Sequence, residues 1–120
     1  MILLDTDICL SLLAGKIPVR DVLGSSDEAV AVSSITAGEL FLAANKSRDP
    51  AGNRVLVEKF LLTVRILHQD VSVSSYIADV QHSLSRKGKT ATYSDIVIFS
   101  MAKVYEARLV TANGKRYCFT

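Results

Sequence analysis

The chain has 120 residues, 49% of them apolar, and its 14 basic and 12 acidic side chains leave a formal charge of only +2. That is one domain, residues 1–120, able to bury roughly two thirds of its unfolded surface, and its charge balance neither favours nor excludes a polyanionic partner. With no apolar run approaching the roughly 18 residues of a membrane span and no basic leader before a cleavage site, a soluble cytoplasmic protein is expected, while Cys9, Cys118, His68 and His82 show neither a disulfide framework nor zinc-site spacing.

In chain order, Ile2, Leu3 and Leu4 predict a buried strand that runs directly into Asp5 and a helix over residues 7–13, stopped by Gly15. Residues 29–33 (AVAVS) predict a second strand, followed by a helix over 36–46 that ends in SRDP. A helix over 51–62 and a strand over 64–67 come next. Ser72 or Ser74 is placed to cap a long helix closed by Gly88, after Arg86 and Lys87, cations suited to a helix C-terminus. Ser94 or Asp95 then opens a helix apolar on nearly every side, which must lie centrally. Residues 109–111 read as a strand, Ala112-Asn113-Gly114 as a turn and 117–119 as a last strand. Strands alternating with helices predict an α/β sandwich around a mainly parallel sheet, whose ligands gather at the C-terminal strand edge. Asp5, Glu39, Asp95 and Thr111 are all placed to reach that edge.

Each acid also has an ordinary explanation. Asp5 or Thr6 can be an N-cap, worth about 1 kcal/mol, and Asp7 a first-turn acid favoured by the helix dipole. Thr36-Ala37-Gly38-Glu39 matches a capping box, and Asp95 can be a first-turn acid. Their joint placement is less ordinary. Two carboxylates about 4 Å apart repel by roughly 4 kcal/mol at an effective dielectric of 20, so an edge that gathers three requires a cation or a shared proton. A hard divalent cation such as Mg²⁺ or Mn²⁺ prefers oxygen ligands and activates water for phosphoryl chemistry.

LLDTDICLSLL, VAVSSITAGELFLAA, SLSRKGKTATYSDIVIFSMAK and ARLVTANGKRY, in that order and over nearly the whole chain, resemble the successive motifs of the PIN-domain family, most closely its VapC-type toxin ribonucleases. The resemblance implies a three-layer α/β/α sandwich whose acidic site binds Mg²⁺ or Mn²⁺ and hydrolyses RNA. It places Asp5, Glu39 and Asp95 as catalytic residues and metal ligands, with Asp7 and Asn113 as further candidates. It also implies a small VapB-type antitoxin that covers the site, and a homodimer. Two positions depart from the family pattern: Asp7 stands where Asn is usual, and Asn113 where an acid is usual. Either Asp7 restores the missing charge or the fourth acidic position is lost.

Arg86, Lys87 and Lys89 before Asp95, and Lys115 and Arg116 after Asn113, are candidates to hold RNA phosphates on either side of the scissile bond; the competing reading is a solvated surface with helix C-terminal cations. Tyr93 is a stacking residue or a core residue with its hydroxyl at the surface. Two other functions compete with a toxin ribonuclease. One is a PIN scaffold that binds RNA or a partner without cutting. The other is a phosphatase using Asp5 and Asp7 as a D-x-D pair, though the chain after Leu109 holds no acid.

Overall fold

The computed structural model describes residues 1–24 and 27–119. Four strands form one parallel sheet in the order β3-β2-β1-β4, with β1 at Ile2–Leu4, β2 at Val30–Ser33, β3 at Arg65–Leu67 and β4 at Arg108–Val110. The register sets Leu3 beside Ala31 on one side and Leu109 on the other. Because successive side chains point to opposite faces, β1 feeds two cores. Ile2 and Leu4, with Val32, pack with Ile8, Cys9, Leu40 and Val57 from helices α1 (Thr6–Leu13), α3 (Ser34–Asn45) and α4 (Pro50–Leu61). Leu3 and Ala31 pack instead with Val73, Ile77 and Val80 of α5 (Val71–Arg86) and with Ile98 and Met101 of α6 (Tyr93–Val104). This is the expected α/β/α sandwich. Burial on both faces explains why the strands read as continuous apolar runs rather than alternating ones, and α6 is central as predicted, with every residue from Asp95 to Ala102 buried.

Local chemistry set several boundaries differently from the sequence reading. A short helix α2, Val19–Leu23, follows Pro18, whose fixed φ suits a helix entrance. Helix α3 starts at β2 itself: Ser33 accepts from the amide of Ile35 as its N-cap, so Thr36-Glu39 is not a capping box and Glu39 is the sixth helical residue. Asp70, not a serine, caps α5 by accepting from Val73, and Thr92 caps α6 by accepting from Asp95. Gly88, at φ +64°, ends the α5 turn in the left-handed region that glycine adopts at low cost. The final segment is not a strand: Gly114–Tyr117 forms a 3₁₀ helix. Among the described residues no helix is long and apolar enough to cross a membrane.

Candidate active site

Strand β1 is followed in the sheet by β2 on one side, while β4 arrives on the other from across the sheet. The β1/β4 boundary is therefore the topological switch point, where open α/β sheets leave a crevice at the carboxyl ends of their strands. Asp5 sits there with no exposed surface. Its Oδ1 accepts from the amide of Ile8 at 2.9 Å and so caps α1. Its Oδ2 accepts from the hydroxyl of Thr111, just past β4, and from that of Tyr117 at 3.4 Å. The cap and the site are thus served by different oxygens of one carboxylate.

Asp95 is the second buried acid. Thr92 caps α6, so both Asp95 oxygens face outward to Arg116, whose Nη2 donates to Oδ1 at 2.9 Å and whose Nε approaches Oδ2 at 3.4 Å. The same guanidinium donates through Nη1 to Oδ2 of Asp7, which is half exposed. Burial lowers the pKa of Arg116, but Asp95 and then Asp7 outweigh it, and the guanidinium is held above its ordinary value. Tyr117 is bonded to Asp5; burial first, then the charges of Asp5 and Asp95, push its phenol well above the usual tyrosine range.

Glu39 is joined to this pair through hydroxyls. Its Oε1 accepts from Thr6 at 2.9 Å and from Ser94 at 2.8 Å. Thr36, buried in the first turn of α3, lies 3.0 Å from the Thr6 hydroxyl and completes the chain. Since Thr6 follows Asp5 and Ser94 precedes Asp95, Glu39 is tied to the residues adjoining both buried acids. Sequence reasoning missed Thr6, Thr36, Ser94 and Tyr117; only the spacing of Thr6 and Ser94 next to candidate acids signalled them.

The donor chemistry, carboxylate and hydroxyl oxygens with two buried acids, fits a hard divalent cation at Asp5 and Asp95. The side chains as placed do not form a ready cage: among the described residues no three acidic, histidine or cysteine side chains are close enough to hold a metal together. The positive charge that offsets Asp95 and Asp7 here is Arg116. Asn113 sends its amide to the Thr111 hydroxyl at 3.1 Å, and Asp7 is paired with Arg116.

The cationic candidates divide. A cleft of about 590 Å³ opens beside Asp95, lined by Lys89, Thr92, Lys115 and Arg116. Arg86 and Lys87 line a different hollow with Asp79 and His82. Tyr93 is half exposed and donates to Gln69 at 3.3 Å.

A parallel α/β/α sandwich with buried carboxylates at its switch point and a cation-lined cleft beside them defines the class of domain. The chain belongs to the PIN-domain family, whose model matches residues 2–118. It is 27% identical over 116 residues to the tRNA(fMet)-specific endonuclease VapC of Shigella flexneri, an alignment that covers 96% of this chain and 88% of the relative. The Ribonuclease VapC2 of Haemophilus influenzae is 28% identical with the same coverage. Among solved structures, the DNA-bound VapBC of Salmonella typhimurium superposes with a TM-score of 0.87 at 28% identity, covering 98% of this chain and 91% of that one.

Proposed function

We propose that this protein is a Mg²⁺- or Mn²⁺-dependent endoribonuclease, the toxin of a toxin–antitoxin pair acting in the cytoplasm. The observation that carries the reading is the pair of buried carboxylates at the sheet's switch point, Asp5 bonded to Thr111 and Tyr117 and Asp95 bonded to Arg116. Membership of the PIN family and similarity to proteins named VapC ribonucleases support it.

Asp5 and Asp95 would hold the cation, which supplies charge stabilisation to a phosphodiester under attack and lowers the pKa of bound water. Glu39 is the base. Two hydroxyls fix its Oε1, while Oε2 has no hydrogen-bond partner among the described residues and is free to take a proton from a water. Lys89 and Lys115 line the cleft beside Asp95 and bind the RNA backbone.

The protein partners belong to the same proposal. An apolar groove between α1, α3 and α4, bordered by Leu10, Leu13, Ala43 and the half-exposed Leu56, is suited to pack against a VapB-type antitoxin or a second copy of the chain. Solved neighbours described as VapBC complexes favour the antitoxin. The D-x-D phosphatase is not favoured, because Asp7, its acid/base, is engaged by Arg116.

The test is incubation of the purified chain with a mixed RNA pool, with Mg²⁺, with Mn²⁺ and with EDTA. Discrete cleavage products that vanish in EDTA are expected. RNA retained on the protein but uncut with both metals would replace this reading with the non-cutting scaffold.

A further inference from the structure

We propose that Arg116 is a built-in competitor for the divalent cation: its guanidinium closes the site over Asp95, and metal enters only by displacing it. This inference rests on the reading of the crevice as a metal site and adds a residue that controls its occupancy.

The geometry carries it. Arg116 engages both oxygens of Asp95, through Nη2 at 2.9 Å and Nε at 3.4 Å, in the two-pronged arrangement a guanidinium makes with a carboxylate. The oxygens of Asp95 are the ones a cation needs, and Thr92 rather than Asp95 accepts the helix-capping bond, so nothing else in α6 holds this carboxylate. A metal and a guanidinium both neutralise it; close-packed at the same two oxygens, they exclude each other.

Asp7 gives the displaced side chain somewhere to stay. It is half exposed, already receives Nη1, and sits in the first turn of α1, two residues from Asp5. Arg116 can therefore release Asp95 without losing every partner. The cleft it also lines, with Lys89 and Lys115, would gain the guanidinium donors released from Asp95, facing any phosphate held there. One departure from the family pattern thus acquires a role: Asp7 anchors a cation that competes at Asp95.

Competition between two ligands for one group is reciprocal, so it is read by metal binding in the absence of RNA. Mn²⁺ affinity of wild type, Arg116→Gln and Lys115→Gln is measured by the loss of free-Mn²⁺ electron paramagnetic resonance signal. Removing a close opposite charge should tighten Mn²⁺ binding about tenfold in Arg116→Gln. Lys115→Gln removes the same charge one residue away and should stay within about threefold of wild type, as expected for an exposed, screened charge. Equal affinity in wild type and Arg116→Gln, or weaker binding in the variant, would overturn the competitor and leave the metal site standing. Mn²⁺ bound by none of the three proteins would overturn the metal site and the competitor with it. Should Arg116→Gln fail to fold by circular dichroism, the wild type decides by nuclear magnetic resonance. The Arg116 Nε–H signal should move with Mg²⁺ saturation; a signal that stays fixed while the amides of Asp5 and Asp95 shift would overturn the proposal.

Discussion

Substituting Asp5 separates its two duties, because its two oxygens do different work. In Asp5→Asn the side-chain oxygen still accepts from the Ile8 amide, and Asn is as good an N-cap as Asp. The amide nitrogen then faces the hydroxyls of Thr111 and Tyr117, which must turn from donors to acceptors. Thr111 already accepts from the Asn113 amide and has one lone pair left, so the reversal is possible, but two charge-assisted bonds become at best neutral ones. The loss is about 1 kcal/mol, which lowers the melting temperature by about 4 °C in a domain of this size. Asp5→Ala also removes the cap and strands the buried Ile8 amide, adding about 1–2 kcal/mol to the loss. Urea melts of the three proteins should rank them wild type, Asn, Ala with unchanged m-values, while metal-dependent RNA cleavage should be lost in both variants. Equal destabilisation by Asn and Ala would refute the division of labour between the oxygens, and full cleavage by Asp5→Asn would refute Asp5 as a metal ligand.

The Tyr117 phenol is held above its ordinary value, so the folded chain keeps that proton when the unfolded chain, titrating at about 10, gives it up. Its contribution is complete below that pH and is lost as pH rises through the folded value. Stability measured in urea between neutral and strongly alkaline pH should fall less steeply in Tyr117→Phe, and parallel curves would refute the assignment. Ile98, 1% exposed in the core between the sheet and α5, should cost about 3 kcal/mol when cut to Ala, seen as a lower urea midpoint; a loss below about 1 kcal/mol would show that the site can collapse. The buried Cys9 thiol is pushed up to about 12 by burial and by Asp5, whereas Cys118 is exposed, so a native thiol titration should count one fast group and reach two only on unfolding.

What the sequence made legible was whatever depends on near neighbours. Apolar runs bounded by polar residues located β1 and β2, because strands buried on both faces leave an uninterrupted signal. The apolarity of α6 on nearly every side likewise reported its burial. Helix α2 was missed because five residues are too few to show a helical period. Cap positions slipped because Ser72, Ser74 and Thr36 are as good caps as Asp70 and Ser33, and only the path of the preceding chain decides among them. The alternation of Tyr117, Cys118 and Phe119 suggested a strand, but these side chains are claimed from elsewhere. Tyr117 reaches Asp5, and the Phe119 ring meets Phe99 edge-on at 4.9 Å, which winds the segment into a 3₁₀ turn and coil. The pairing of Arg116 with Asp7 was not legible, because that carboxylate in the first helical turn stands 109 residues away in sequence and no local pattern reports such a pairing.

The opposition between cap and ligand that divided the sequence reading dissolves at this edge for a geometric reason. A helix that begins where a parallel strand ends needs a side-chain oxygen to satisfy its first amides, and the same strand end is where the sheet opens its crevice. One carboxylate can face both, since only one of its oxygens can face the helix; Asp5 turns Oδ1 to the Ile8 amide and Oδ2 to Thr111. Asp95 reaches the same crevice by the opposite route, with Thr92 taking over the cap and leaving both oxygens to the crevice, where Arg116 meets them. Cap identity is therefore informative about function in a way that cap propensity is not. An acid that caps its own helix offers the site one oxygen, and an acid three residues behind a threonine cap offers two. By that rule Asp95, rather than Asp5, is the carboxylate over which a cation and a guanidinium would contend, and it is the one that Arg116 holds.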